Sequence, residues 1–268
     1  VRLGTAVEGT MVHILVKPVG QDRWQTLRKY DALREPDMTP LGFDEDPNML
    51  FVAQRLDGRT AVYSIDISNP QVPPTLRASH ALYDIEGSLI YSSWLKQVVG
   101  VRSRLDESAS IYWNPKAKAL QTRVDLALPG RINDIQGSSR NGRRHIVVSS
   151  HATQPPQWYL YDEDLNRLIL MVDGYPKLVP NELVKPMPLT LKARDGTVLH
   201  GYVTRPAHAQ QPGPLIVLPH GGPAGRDVLD FNYWTQFLAS RGWAVLQVNF
   251  RGSSGYGGEF LQAGFKRW

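Results

Sequence analysis

Two glycine-bearing loops hold the residues with the most chemical potential. The first, Pro219-His220-Gly221-Gly222-Pro223, directly follows the apolar run Leu215-Ile216-Val217-Leu218. Paired glycines leaving a parallel strand let a backbone N–H face a ligand with no Cβ in the way, the geometry of an oxyanion-hole donor. A Gly-Gly pair on its own serves a tight turn at least as well.

The second loop, Arg251-Gly252-Ser253-Ser254-Gly255-Tyr256-Gly257-Gly258, also leaves an apolar run. It lacks the last glycine of a dinucleotide fingerprint, and no Gly-Lys-Ser/Thr follows as in a phosphate-binding P-loop. Neither Ser253 nor Ser254 has glycine two positions away on both sides, so the loop is not a nucleophile elbow. Its expected role is to shape the rim of a site.

Other candidates read as structure. Asp162-Glu163-Asp164-Leu165-Asn166 alternates carboxylates but lacks the turn glycine and distal glutamate of a calcium loop, so a turn between strands is expected. His145 and His151 flank a strand with no third ligand at metal spacing, and read as sheet-edge or surface histidines. No metal or cofactor is expected. The densest basic cluster, Arg140 to Arg144, sits in a Gly/Ser/Asn turn and reads as solvated, with no basic stripe that would suit nucleic acid.

The elements around these loops fall into two regimes. Leu50-Phe51-Val52, Val98-Val99-Gly100-Val101 and Ile146-Val147-Val148 recur at intervals of 48 residues. Each is followed by a strand rich in aromatic and β-branched residues: Ala61 to Ile65, Ser110 to Trp113, and Gln157 to Tyr161. The turns between them are expected at Asp57-Gly58, Asp106 to Ser108 and Gln154-Pro155-Pro156. Third strands are expected at Thr75 to Arg77, Leu120 to Arg123 and Leu168 to Met171, and a leading partial unit at Val12 to Val16 and Trp24 to Leu27. A period of this length built of short strands fits the blades of a β-propeller, with a β-sandwich as the alternative. We therefore read residues 1–180 as a partial propeller of about three blades plus a leading partial one.

Past Pro180, Pro186 and Pro188 the pattern changes. Leu189 to Ala193 and Val198 to Val203 read as a hairpin around Arg194-Asp195-Gly196. Leu215 to Leu218 reads as a parallel strand buried on both sides. Phe231 to Arg241 reads as a helix with Asp230 as N-cap, Gly242 as stop, and Phe231, Trp234, Phe237 and Leu238 on its apolar face. Trp243 to Val248 is a second buried strand, joined to the first by a right-handed crossover. Glu259 to Trp268 opens another helix. Residues 181–268 thus read as the start of a parallel α/β sheet, and an α/β-hydrolase takes one oxyanion N–H from the loop where this sequence has His-Gly-Gly.

The composition agrees. The 268 residues carry 30 Lys plus Arg against 25 Asp plus Glu, and 42% are hydrophobic, enough for a sizeable core and too many for disorder. No cysteine is present, so disulfides and Cys-based zinc are excluded, while the compartment stays open between cytoplasm and periplasm. No run approaches a membrane span, and the chain reads as soluble. It begins at Val1 in a strand pattern and stops at Trp268 in a helix pattern, so we expect a fragment, with an exposed apolar sheet edge and a tendency to aggregate in isolation.

Leu218 to Asp227 (LPHGGPAGRD) followed by Gln236 to Phe260 (QFLASRGWAVLQVNFRGSSGYGGEF) resembles the prolyl oligopeptidase family of serine peptidases, nearest its acylaminoacyl-peptidase and dipeptidyl-peptidase-like bacterial members. The resemblance implies a β-propeller capping an α/β-hydrolase domain that cleaves short peptides. It implies Gly222 as a backbone oxyanion donor, with His220, Gly221 and Pro223 shaping that loop. It also implies that Arg251, Gly252, Ser253 and Tyr256 pack beside the site. The family's Ser, Asp and His triad falls beyond Trp268, so the chain as given is expected to be inactive. An esterase of the same fold and a non-catalytic propeller module that binds peptides are the competing readings.

Overall fold

The computed structural model describes residues 2–31, 38–207, 213–222 and 224–266. Its strands form five sheets. The first joins β1 (Leu3–Glu8), β2 (Met11–Val16) and β3 (Gln25–Asp31). The second joins β4 (Met38–Phe43), β5 (Met49–Leu56), β6 (Arg59–Asp66) and β7 (Thr75–Ala78). The third contains β8 (Leu89–Ser92), β9 (Gln97–Arg104) and β10 (Ser108–Tyr112), and is followed by helix α1 (Pro115–Ala127). The fourth contains β11 (Ile132–Ser138), β12 (Arg144–His151), β13 (Gln154–Asp162) and β14 (Arg167–Asp173). All four are antiparallel meanders, and none is closed on itself.

The sheets bury one another's faces. Leu50 and Val52 of β5 pack with Ile14 and Val16 of β2, while Phe51, on the opposite face, packs with Val98 and Val101 of β9. Val99, on the other face of β9, meets Ala117 of α1, and Leu120 and Val124 of the same helix meet Val147 of β12. Strand alternation in β5, and in β9 the register shift that leaves Val99 unpaired with β8, thus feed a separate core on each side of the second and third sheets.

Most of the expected strands are present, and two expectations need correction. Leu120 to Arg123 is helical. Pro115 stands at the helix start, the Asn114 side chain accepts from the Lys116 and Ala117 amides at 2.9 and 3.2 Å, and Ala117, Leu120 and Val124 make one buried stripe. A cap, an N1 proline and a helical period outweigh the position in the repeat. The turn expected at Gln154-Pro155-Pro156 is Ala152-Thr153 instead, and β13 begins at Gln154. The register slips between Ser149–Gln157 and His151–Gln154, so the two prolines, which have no N–H to give, occupy a bulge. Asp162 to Asn166 is the expected turn, with Asp162 accepting from the Asp164 and Leu165 amides.

The fifth sheet has the order β15 (Met187–Lys192), β16 (Val198–Thr204), β18 (Ala244–Asn249), β17 (Leu215–Val217). The hairpin β15–β16 is antiparallel, as is β16–β18, and β17 pairs with β18 in parallel. Between β17 and β18 runs α2 (Tyr233–Ser240), and a short helix α3 (Gly258–Gln262) follows. Three expectations change here. With β18 on one side only, β17 is an edge strand, and Leu215 and Val217 are 55% and 59% exposed. The N-cap of α2 is Asn232, which accepts from the Trp234 and Thr235 amides, while Asp230 turns away to receive both the amide and the hydroxyl of Ser108. The helix buries Thr235, Gln236 and Ala239, leaving Trp234 and Phe237 about half exposed. Among the described residues no helix is long and apolar enough to cross a membrane.

Candidate active site

Strand β17 hands its register to Leu218, whose amide donates to Leu246 at 2.8 Å, and the chain then leaves the sheet through Pro219 and His220. Gly222 has φ +144°, in the region that L side chains avoid, and a Cβ there would lie 2.5 Å from the Gly225 nitrogen and 2.8 Å from that of Ala224. Its amide has no hydrogen-bond partner among the described residues, and the residue is exposed. A donor left unmade on an exposed loop at the end of a parallel strand is available to an incoming oxyanion. Gly221 and His220 precede it in the same loop, and Pro223 lies outside the described residues.

Four residues hold this loop from beneath. The His220 ring stacks on Phe250 at 4.4 Å and 12°, with Nδ1 2.9 Å from the Gly221 carbonyl and Nε2 2.8 Å from Ser253 Oγ. Ser253 is fully buried, and its hydroxyl donates to the Phe250 carbonyl at 2.6 Å. Fully buried Asn249 acts as a clip: its oxygen accepts from the Asp227 amide at 2.7 Å, and its nitrogen donates to the Asp227 carbonyl at 3.0 Å and to the Tyr256 hydroxyl at 2.8 Å. The amide of Ser254 donates to the Gly225 carbonyl at 3.2 Å.

Ser253 and His220, with Asp227 close enough to feel the histidine's charge, imitate a catalytic triad. The imitation fails on access. A nucleophile must be reachable and its oxygen must be activated by the histidine, whereas Ser253 has no exposed surface and its proton is committed to a carbonyl. Ser253 is a strut.

The second glycine loop lies under the first, not along an open rim. Gly252, Ser253, Gly255, Tyr256, Gly257 and Gly258 are buried. Arg251 pairs with Asp195 in the β15–β16 turn, which holds that carboxyl well below the usual carboxylate range. Tyr256 stacks on His200 at 5.0 Å, and burial raises its phenol. Burial likewise raises the carboxyl of Asp227, opposed by the charge of His220 and a hydrogen bond from Gln247, and one Asp227 oxygen is buried without a partner.

Above the loop opens a cavity of about 630 Å³, bounded by Arg102, Ser110 and Asp134 from the third and fourth sheets and by Ala224, Gly225 and Arg226 from the loop. Glu86 also faces it. Burial and the nearby Asp84 raise the Glu86 carboxyl, against Arg226 and Ser254. Among the described residues no group of His, Asp and Glu could hold a metal ion.

Asn249, Arg226, Asp227 and Glu86 escape sequence reading. For Asn249 a signal existed, an amide residue closing an otherwise apolar strand. The other three take their character partly from partners far along the chain, Arg226 from Tyr83 and Leu105, Asp227 from Asn249, and Glu86 from Arg226 and Ser254. His145, read as a surface or edge histidine, is fully buried, with Nδ1 2.7 Å from Ser138 Oγ, and burial lowers its pKa.

A mixed sheet whose parallel strand ends in such a loop places the chain among α/β proteins that meet ligands at the carboxyl ends of their parallel strands. Comparison with known proteins narrows this. Residues 229–268 match the sequence model of the prolyl oligopeptidase family. The chain is 32% identical over 253 residues to dipeptidyl aminopeptidase BIII of Pseudoxanthomonas mexicana, covering 90% of this chain and 36% of that protein. It is 30% identical over 171 residues to dipeptidyl peptidase family member 6 of Caenorhabditis elegans, covering 56% of this chain and 23% of that one. The chain therefore spans only about a third or less of these relatives. In fold it is similar to a puromycin-hydrolysing peptidase of Mycobacterium tuberculosis, with TM-score 0.66 and 18% identity over 95% of this chain and 39% of that structure. The chain is thus similar to the prolyl oligopeptidase family over residues 229–268, and to a dipeptidyl aminopeptidase and a dipeptidyl peptidase family member over more than half of its length.

Proposed function

We propose that this chain supplies the oxyanion loop and the adjoining cavity wall of a serine peptidase that cleaves short peptides by acyl transfer. The first four sheets act as propeller blades over residues 1–180, and residues 181–268 open the α/β-hydrolase domain. The nucleophile, base and orienting carboxylate come from sequence outside this chain. In that reaction the serine oxygen attacks the peptide carbonyl, the histidine takes its proton and later gives it to the departing amine, and water then releases the acyl group. The Gly222 amide carries part of the charge on the tetrahedral oxygen. Gly222 is the observation on which the reading rests, through its unpartnered amide and a φ only glycine holds comfortably.

The first substrates to try are dipeptidyl arylamides with a free amino end, since two relatives are named as dipeptidyl peptidases. The test uses the full-length protein. Hydrolysis blocked by a fluorophosphonate supports the reading, and Gly222→Ala, which must displace the loop, should lower kcat by about 10²-fold or more. Absence of both hydrolysis and labelling refutes it, and cleavage of esters but not peptides turns it to an esterase.

A further inference from the structure

We propose that Arg226 is a positioning residue that orders the oxyanion loop only when the first part of the chain is docked against the fifth sheet. The proposal deepens the peptidase reading and depends on it for its kinetic consequence alone. Arg226 lies four residues after Gly222 and is only 8% exposed. Its guanidinium carbon sits 4.9 Å from the Tyr83 ring centre and 4.7 Å from that of Tyr256. Tyr83 belongs to the segment between β7 and β8, and Tyr256 to the loop after β18, so the cation is gripped by one ring from each part of the molecule. Its Nη2 donates to the Leu105 carbonyl in the β9–β10 turn, a third contact and again with the first part.

This is an expensive way to fill space. Nε and Nη1 are buried with no hydrogen-bond partner among the described residues, and burying a charge without satisfying its donors costs stability that an apolar side chain of similar length would not. Two cation–π contacts recover some of it. Such a group makes sense where its geometry is used. The planar guanidinium fits only when both rings and the Leu105 carbonyl are in place. Gly255 must also lack a side chain, since a Cβ there would run into the guanidinium. The backbone on either side of Arg226 is tied down, Gly225 by Ser254 and Asp227 by Asn249. Those ties lie within the fifth sheet and its loops. Leu229 and Asp230 reach Asp106 and Ser108 further along, which makes Arg226 the tether to the first part nearest Gly222.

The test uses full-length protein carrying Arg226→Met, Tyr83→Leu or Tyr83→Phe. Hydrogen exchange at the amides of Asp227 and Ser254, which tie the loop to Asn249 and to Gly225, should quicken about tenfold or more in Arg226→Met and Tyr83→Leu, with β18 unchanged. Tyr83→Phe keeps the ring face and should restore slow exchange. With a peptide substrate, kcat should fall about 10²-fold in the first two variants. KM should stay within about twofold, and Tyr83→Phe should recover kcat. Unchanged loop exchange in both folded variants overturns the proposal. So does exchange that quickens throughout the fifth sheet, which makes Arg226 ordinary core, or a rise in KM at constant kcat, which makes it a substrate contact. If the wild type hydrolyses nothing, the peptidase reading falls, and the exchange comparison still decides the clamp.

Discussion

Asp227 is a residue whose chemistry works against the fold at neutral pH. Burial raises its carboxyl above the unfolded value, and one of its oxygens has no partner. The folded state therefore holds the Asp227 proton more tightly than the unfolded chain does. The resulting stabilisation is full below the unfolded pKa, near 4, and is lost as pH rises through the folded value. Asp227→Asn keeps the shape and removes the ionisation. We expect it to raise the melting temperature at pH 7, with the gain shrinking toward pH 4 in calorimetry of the full-length protein; a gain that grows on acidification would refute the assignment. At this scale the sequence is legible only where a motif marks a position in the fold. His220 and Gly222 announce themselves by position after a strand. Asp227 and Arg226 sit in the same stretch unnoticed, because what matters about them is Asn249, Tyr83 and Leu105, which the fold alone brings near.

Elements were legible where one signal dominated. Leu50-Phe51-Val52 reads as a strand buried on both faces, and the cores on either side of β5 are why. The opening strands β4, β8 and β11 escape the reading, being short or interrupted by glycine, proline and polar residues. The misread α1 shows a repeat overridden by local chemistry. Asn114, Pro115 and the stripe Ala117, Leu120, Val124 were all visible, yet the period of the neighbouring units pointed to a strand. If the cap fixes where α1 starts, Asn114→Ala should cost about 1 kcal/mol, within the usual 0.5–2, in urea unfolding of the full-length protein with m unchanged. No loss would mean that packing of Val124 and Leu120 against the fourth sheet alone sets the helix. For α2 the lesson is the reverse. Its aromatic residues suggested the buried face, but the helix turns Gln236 inward, where its amide donates to Val184 and Ala152 and its oxygen accepts from the Val184 amide. A polar residue that satisfies three backbone groups wins over rings that can remain half exposed.

At the scale of the molecule, the question is whether the first four sheets and the fifth behave as one body. The contacts between them include ring packing, Tyr83 on Tyr256 and Tyr175 on Phe231, and specific polar bonds. Tyr202 donates to Asp106 at 2.6 Å, burial and that carboxylate together raising the tyrosine's pKa. Asp84, buried between the two parts, accepts the Thr60 amide on one oxygen and the Gly257 amide on the other, both at 2.7 Å, while its own amide donates to Gly255 at 3.0 Å. One carboxylate thus satisfies a donor from β6 and a donor from the loop beneath Gly222. Asp84→Ala leaves both amides without their acceptor in a buried place, at a cost of about 2–4 kcal/mol in all. If the parts unfold together, calorimetry of the full-length protein should show the whole transition moving down by several degrees and keeping one peak. If they are independent bodies that merely touch, the peak should split, with only one component shifted. The first outcome would mean that the Gly222 loop inherits its order from the packing of the whole chain, because the Gly257 amide that Asp84 holds lies one residue from Tyr256, and Tyr256 is the ring on which Arg226 rests.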